Sequence, residues 1–536
     1  MKKRILSVIA LATLGPLLAA CSNEKNQGSD KQVLNWSIQA ELPTADQSLA
    51  SDAVSFSILN NIGEGLYRLD KNEKPKPALA TKTEITNEGK TYTFNLRKGT
   101  KWSNGDEVTA KDFVYAWQRT VDPKTNSQYA YAFDAVKNAP AISKGEKSPQ
   151  SLGIKALGKY KLQVNLTRRV PYFQLLISRP TFFPQNQKAV EKYGKKYGTA
   201  SKYLVTNGPF TLKNWSGTSL TWKLVKNKSY WDTKDVKLSA INFKVTKATT
   251  TSYNLYQTNK LDETLLDSEQ AKQLVKNPAY TVWKNARTQY LEFNQTQKQF
   301  QNKKIRQAIS YAINRDNLTK NVVGAGSNKV TGIVADGTAS FKGVDFAKAA
   351  KTADGTTYNR EKAKKLWAEG LNELGVDSVQ FTLLGDDTDV SKKVAEYIQS
   401  QLNETLPNIK VSVANVPYKT RLARSTAGDF DVVISAWGAD YADPISDLEL
   451  FTTDNAWNHG KWENEEYNHL IDTSQTEGNK AKRWQLLVKA SKLLDQEQAI
   501  VPLFQENQAA LVKKQVHGYL YHPAGVKFDF KEAYLK

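Results

Sequence analysis

A single cysteine, Cys21, stands in a chain of 536 residues, so no intrachain disulfide can staple any part of the fold. Stability must come from packed cores, and a chain this long divides into two or three domains rather than one. The place of that cysteine is as informative as its number. Before it lie a basic start, "MKKR", and an apolar stretch, "ILSVIALATLGPLLAA", interrupted by Gly15 and Pro16. The stretch is too short for a stable membrane span and closes on small residues, the pattern of a secretory signal over residues 1–20.

The four residues Leu18, Ala19, Ala20 and Cys21 resemble a lipobox, at which the cysteine thiol is lipidated and the leader is cut before it. Cys21 is therefore the expected membrane anchor; the alternative is an ordinary leader with an incidental cysteine. The residues "SNEKNQGSDKQ" that follow are polar and almost free of bulky side chains, a flexible tether that runs to residue 32. Such a tether reaches about 18 Å as a random coil. The formal net charge is +21, three of it carried by Lys2, Lys3 and Arg4 of the leader. A basic exported body suits an anionic envelope surface. The charge is mostly lysine and scattered, and the address is extracytoplasmic, so no nucleic-acid partner is expected.

Elements of both periods alternate along the body. Strand patterns occupy "VLNWSI", "TYTFNLR", "KLQVNL", "LTWKLV", "IKVSVANV" and "FDVVISAW". Helical patterns occupy "FSILNNIGEGLYRLD" up to its glycines, "VTAKDFVYAWQRTV", "KKIRQAISYAINRDNL", "NREKAKKLWAEGLNEL" and "VSKKVAEYIQSQLNETL". The second of these has Thr109 at its N-cap, Asp112 three residues on and Val108 placed to staple to Phe113. Asp389 is the expected cap of the last. The tail, "RWQLLVKASKLLDQEQAIVPLF", is a helix and then a strand. From about 360 to 440 the order is helix, strand, helix, strand, turn, strand, which is α/β wiring. No linker after residue 32 marks a boundary, so the domains are expected to be discontinuous.

Catalytic signatures are missing. "GAGSN" lacks the last glycine of a nucleophile elbow, and neither phosphate-binding glycine loop is present. His459, His469, His517 and His522 have no zinc-site spacing and belong at the surface or in loops. "DDTDVSKK" lacks the glycine and the terminal glutamate of a calcium loop, and helix capping accounts for it better. No metal and no cofactor is expected, and paired carboxylates alone do not support an enzyme.

One carboxylate stands out. "FDVVISAW" has an unbroken apolar run, Val432 to Ile434, the mark of a strand covered on both faces. Ligands of open α/β sheets bind beyond the carboxyl ends of such strands, and Asp440 lies there. Asp443 and Pro444 have a structural reading as N-cap and first residue of a following helix. Asp440 has none, other than a solvated loop carboxylate paired with a lysine. Trp437 and Tyr441 flank it and Gly438 admits close backbone approach, which together suit a ligand ammonium group.

The body as a whole resembles the extracytoplasmic solute-binding proteins of the oligopeptide/dipeptide/nickel class, and most of all the oligopeptide-binding lipoproteins of bacterial ABC importers. The resemblance rests on "EGLYRLD" (64–70), "TYTFNLRKGTKWSNGDEVTAKDFVYAWQR" (91–119), "VPYF" (170–173), "VTNGPFTLKNW" (205–215), "NKSYWD" (227–232), "IRQAISYAINRD" (305–316), "AWGADYADP" (436–444) and "AIVPLF" (499–504). It implies an α/β, two-lobed clamp of three domains with mixed sheets: domain I from 33–63, 179–285 and 502–536, domain II from 64–178, and domain III from 286–501. It implies a non-enzymatic, monomeric, lipid-anchored receptor that hands oligopeptides to a permease and its ATPase. In this family the peptide lies as an extended strand and its α-amino group meets the aspartate that matches Asp440. Ala436, Trp437 and Gly438 would contact it on one side and Ser51 to Ala53 on the other, with Tyr115 as a ligand-contacting tyrosine or, alternatively, a core aromatic. Some relatives hold the peptide carboxylate with Arg and His; the matching positions here are Val390, Ser425 and Ile434, with Arg421 and Arg424 out of register. A fixed carboxylate clamp is therefore not expected, and longer peptides fit that pattern. Dipeptides, signalling peptides or a nickel chelate are the alternative ligands, nickel being disfavoured by the few histidines; a surface peptidase or glycosidase is the alternative of another class, disfavoured by the missing motifs.

Overall fold

Four larger sheets organise the chain. Val33–Ile38 pairs in parallel with Ala240–Val245, and Thr221–Lys226 and Phe210–Lys213 extend that sheet antiparallel. Glu263–Leu265 and Tyr280–Trp283 flank Gln508–Val512 in a second sheet, so the N-terminal, middle and C-terminal parts of the chain are interleaved. Ala80–Thr86, Thr91–Leu96, Lys161–Asn165 and Ile154–Gly158 form an antiparallel sheet of their own. The fourth is six-stranded and mixed, in the order Asn328–Lys329, Ile500–Gln505, Arg287–Phe293, Val432–Gly438, Val379–Asp386, Ile409–Val416. These elements belong to a computed structural model that describes residues 32–536 except 171, 325, 353, 354 and 442. The expected leader, the expected lipidation site Cys21 and all but the last residue of the expected tether lie outside the described residues.

Two large apolar cores and three smaller clusters are present among the described residues. One of the large cores is rich in aromatics, with Trp36, Trp117 and Trp222 buried, and runs from the first sheet across to Trp437. The other fills the space between the six-stranded sheet and three helices, Lys303–Ala312, Arg360–Leu374 and Asp389–Thr405, through Ile309, Trp367, Ile398 and Leu383. The apolar run of the strand Val432–Gly438 is covered on both faces, as its pattern predicts: Val432 and Ile434 pack into that second core, and Val433 packs on the opposite side with Leu384 and Phe430.

Helix starts obey local chemistry, with a few departures. Thr109 precedes the helix Ala110–Val121, and the Asp112 carboxylate accepts from its N–H at 2.7 Å and its hydroxyl at 2.9 Å. The helix Asp389–Thr405 begins one residue early: Thr388 caps it by accepting from Ser391 N–H at 3.2 Å, and Asp389 sits in the first turn. The pattern from Lys303 does not continue as one helix. It stops at Ala312, and Arg315 turns inward to donate to the carbonyls of Pro502 and Ser310. The expected turn between Ile409–Val416 and Val432–Gly438 is a helix, Tyr418–Ala427. Pro417 and Gly428, at φ 71°, bracket it, but its buried face is Tyr418, Arg421 and Ser425, so no apolar stripe announces it. The helix after Pro444 is Ile445–Leu448, with Pro444 itself in the cap position. The boundary expected at 501/502 falls inside the strand Ile500–Gln505, which pairs with Arg287–Phe293 in the six-stranded sheet. His459 and His522 are in loops but buried, His522 against Glu73 at 2.7 Å. Among the described residues no three His, Cys, Asp or Glu side chains come together as a metal site.

Candidate functional site

The site begins where two strands part. Val432–Gly438 is paired along its whole length with Arg287–Phe293 on one edge. On its other edge it pairs with Val379–Asp386 only at Val432 and Val433. Beyond that point the latter strand runs on with Ile409–Val416 and turns into the helix at Asp389. Among the described residues, the outer edge of Ile434–Gly438 therefore has no strand partner. Ile434 to Gly438 line a cleft, and backbone N–H and C=O groups left without a strand partner demand others when buried.

The chain beyond the strand is held in place by backbone bonds. Ala439 N–H donates to Ala286 O at 2.8 Å, Asp440 N–H to Ser446 Oγ at 2.7 Å, and Gly525 N–H to Ala439 O at 2.9 Å. Trp437 donates from its indole N–H to Ser446 O at 2.9 Å and packs against Tyr129 and Trp457. The carboxylate of Asp440 is thereby aimed at Arg179, with which it forms a close ion pair, both side chains being under 10 % exposed. The Arg179 guanidinium also lies 5.4 Å from the ring centres of Phe56 and Tyr129, within reach of a cation–π interaction.

Around this pair lies a polar pocket bounded by Ser51, Asp52, Ala53, Ala436, Trp437 and Gly438. It shares Ala53, Arg287, Tyr418 and Lys527 with a larger cavity of about 1520 Å³, counting its open mouth, that continues along the cleft. Three arginine–carboxylate pairs line this joined space. Arg179 faces Asp440, Arg287 faces Glu506 at 3.0 Å, and Arg421 faces Asp386 at 3.0 Å. Burial alone would raise the Glu506 carboxyl, but Arg287 and Lys527 beside it hold it below the usual carboxylate range. Burial keeps the Lys527 amine below its ordinary value. Asp52 caps the helix Ala53–Ile62 by accepting from Ser55 N–H at 2.8 Å. Among the described residues its second oxygen has no hydrogen-bond partner, and burial pushes the carboxyl up to about 6. A peptide zwitterion, one ammonium and one carboxylate, would enter this space without unbalancing its charge.

Six of the residues singled out in the sequence thus meet in one pocket: Ser51, Ala53, Ala436, Trp437, Gly438 and Asp440. Two lie apart from it. Tyr115 packs with Ala189, Val190 and Tyr197, and Tyr441 turns away to stack on Tyr172 at 4.8 Å. Of the positions matched to a carboxylate clamp, Val390 and Ile434 line the larger cavity, while Ser425 is buried within its helix. Arg421 is committed to Asp386, and Arg424 pairs with Asp429 at 2.8 Å. Asp443, one residue before the cap position, still bonds the helix start: its Oδ1 accepts from Ile445 N–H at 3.1 Å, and Arg483 grips both its oxygens at 2.8 and 2.9 Å. Sequence reasoning missed Arg179. Its one signal is that it is the sole charge in the otherwise uncharged run Leu175–Phe183. Gly438 has space around it: a Cβ there would meet only ordinary contacts, 3.6 Å from Arg287 Cβ. Internal packing does not require the glycine, whereas a ligand backbone lying on it would.

Residues 74–459 match the family described as bacterial extracellular solute-binding proteins, family 5. The "Dipeptide-binding protein" of Lactococcus lactis subsp. cremoris is 37% identical over 99% of this chain and 98% of its own length. The structure of Listeria monocytogenes OppA bound to peptide superposes with a TM-score of 0.91 at 40% identity, covering 94% of this chain and 99% of that one. The murein tripeptide binding protein MppA supplies a finer comparison. At 26% identity and 94% coverage of this chain, one structure, from Escherichia coli and 99% covered, gives 0.87, and the unliganded open form, 98% covered, gives 0.61. Identity and coverage barely differ between the two, so the fall measures how the parts are arranged. This chain does not have the arrangement of the open form.

Proposed function

The chain belongs to the family 5 bacterial extracellular solute-binding proteins, and from that premise we propose that it captures oligopeptides as extended strands between two lobes and delivers them to an ABC importer. It is a receptor and not an enzyme. The observation that carries the ligand class is the unpartnered strand edge Ile434–Gly438 facing an enclosed cleft. A peptide laid along it completes the backbone hydrogen bonds whatever its side chains, which is recognition by strand addition. Asp440 fixes the register. The ligand ammonium docks against its carboxylate, sharing it with Arg179, while Asp52 lines the same pocket. Ser51 and Ala53 bound the ligand from the far side. The cavity that continues beyond this seat favours ligands longer than a dipeptide.

The three-domain division is part of this reading, with the third domain extended through Gln505. So is the lipid anchor: Cys21 holds the body on the outer face of the cell membrane through its tether, and Cys21→Ala should leave the protein in the soluble fraction. A variant still sedimenting with membranes would remove that element alone. The central test is recovery of ligand. Peptides released by denaturing the purified protein and identified by mass spectrometry should be intact. Synthetic copies should rebind, and their N-acetylated forms should bind about a hundredfold more weakly or worse. Trimmed peptides, or no affinity for any free-amine peptide, would overturn the proposal.

A further inference from the structure

The larger cavity holds one carboxylate that no cation of the cleft answers. Glu263, on the strand Glu263–Leu265, is only 1% exposed. Its Oε2 accepts from Ser37 N–H at 3.3 Å and from Ser37 Oγ at 2.7 Å. Leu265, two residues on and on the same face of the strand, lines the cavity with it. Every other carboxylate in the two joined spaces, apart from the capping Asp52, faces an arginine; among the described residues Glu263 has no cation within salt-bridge distance. Beside it stand four aromatic side chains, Trp36, Phe243, Trp283 and Phe528, with Phe528 edge-on to both indoles at 5.1 and 4.9 Å.

We propose that Glu263 and these aromatic walls form a subsite for a basic side chain, lysine or arginine, of the bound peptide. The inference rests on the peptide-capture reading and deepens it by naming the side chain the cavity selects. An aliphatic stem lies against the rings, the cationic head gains from their faces, and the carboxylate closes the pair. Burial pushes the Glu263 carboxyl up to about 8, so the empty subsite is neutral near pH 7. A cationic head entering it displaces that proton to solvent and leaves an ion pair. Tyr256 and Tyr519 lie beside Glu263, and burial raises both; Asp262 precedes it in the chain and pairs with Lys513 at 3.6 Å. Arg287, Asp386, Glu506 and Lys527 lie elsewhere on the cavity wall. The competing role for Glu263 is to tie its strand to Val33–Ile38 through Ser37, with no preference for any side chain.

Calorimetric titration of the purified chain with alanine pentapeptides decides between them. A single lysine is moved through the five positions, and each peptide is compared with its norleucine counterpart and with the all-alanine parent. At one position lysine should bind about tenfold tighter than norleucine, and Glu263→Gln should bring that ratio to about one. In buffers of different ionisation enthalpy at pH 7, the favoured lysine peptide should release close to one proton and its norleucine counterpart none. This readout needs no variant, so a Glu263→Gln protein that fails to fold leaves the question decidable. Equal affinities at every position, a preference that survives Glu263→Gln, or binding without proton release would each overturn the subsite. Failure of every peptide, the parent included, would instead overturn peptide capture itself and this inference with it.

Discussion

Asp440 and Asp443 stand three residues apart, and each faces one arginine, yet the two ion pairs differ in what lies beside them. Asp443 is gripped through both oxygens by Arg483 and also receives the first N–H of a helix, so its acceptor sites are taken from within the fold. Asp440 meets Arg179 on the wall of a pocket that Asp52 and an open strand edge also line. One pair closes on itself and holds two segments together. The other borders empty space and has room for a third member. Proximity in sequence says nothing of this; what divides them is whether the carboxylate has a free side and where that side looks.

The largest expected effect tests that division directly. Asp440→Asn keeps the shape and removes the charge, leaving a docked ammonium and Arg179 without their partner, a loss of about 3–5 kcal/mol for a buried pair. Affinity for a free-amine peptide should fall by roughly two to three orders of magnitude. The N-acetylated peptide, weak to begin with, should lose far less. The four titrations make a cycle in which effects on Arg179 common to both peptides cancel. Equal losses for the two peptides would show that Asp440 does not hold the amine.

Asp443→Asn should do the reverse. Asparagine caps nearly as well as aspartate but cannot grip Arg483 with two anionic oxygens, so unfolding free energy should drop by about 1–2 kcal/mol. Peptide affinity should stay within about twofold. A large loss of affinity with stability untouched would erase the distinction between the two aspartates.

The smallest effect concerns the ground behind Asp443. Burial pushes Glu449 up to about 8, with Asp134 adding to the shift, and burial pushes Asp134 up to about 7. Both are protonated in the fold at pH values where the unfolded chain is ionised. Their contribution is complete below the ordinary carboxylate range near pH 4 and is lost as pH rises through 7 and 8. The thermal midpoint should therefore be about a few degrees lower at pH 8.5 than at pH 5.5, and Glu449→Gln should flatten the slope. A midpoint that climbs over this interval would contradict the buried, neutral state of these groups.

The sequence carried some of this and hid the rest for identifiable reasons. The strand ending at Gly438 was legible because burial on two faces leaves an unbroken apolar run. The helix Ala110–Val121 was legible because its cap is local chemistry. The helix Tyr418–Ala427 was not, because the side it buries includes Arg421, whose charge is answered by Asp386 from another strand. Arg179 could not be matched to Asp440 for the same reason: an ion pair between distant segments has no period and no spacing. Tyr441 shows the opposite failure. Adjacent to Asp440 in sequence, it points into the core toward Tyr172, since neighbours along an irregular backbone need not share a face. Glu263 gave no signal at all, being one carboxylate among several in "LDETLLD" whose isolation from cations is visible only in three dimensions.

The parting of the strands after Val433 has a consequence for what the protein leaves alone. An open sheet edge on a convex surface recruits other sheets indiscriminately, and proteins guard against it with charge, proline or cover. Here the edge lines a pocket together with Tyr418, Arg421 and Ser51 to Ala53. A lone extended chain can be threaded into such a slot, but the rim of a folded neighbour cannot, because its own second strand would strike the walls. The geometry is thus a filter on foldedness. Among intact envelope proteins, a slot of this kind would favour a lone extended chain over the edge of a folded sheet.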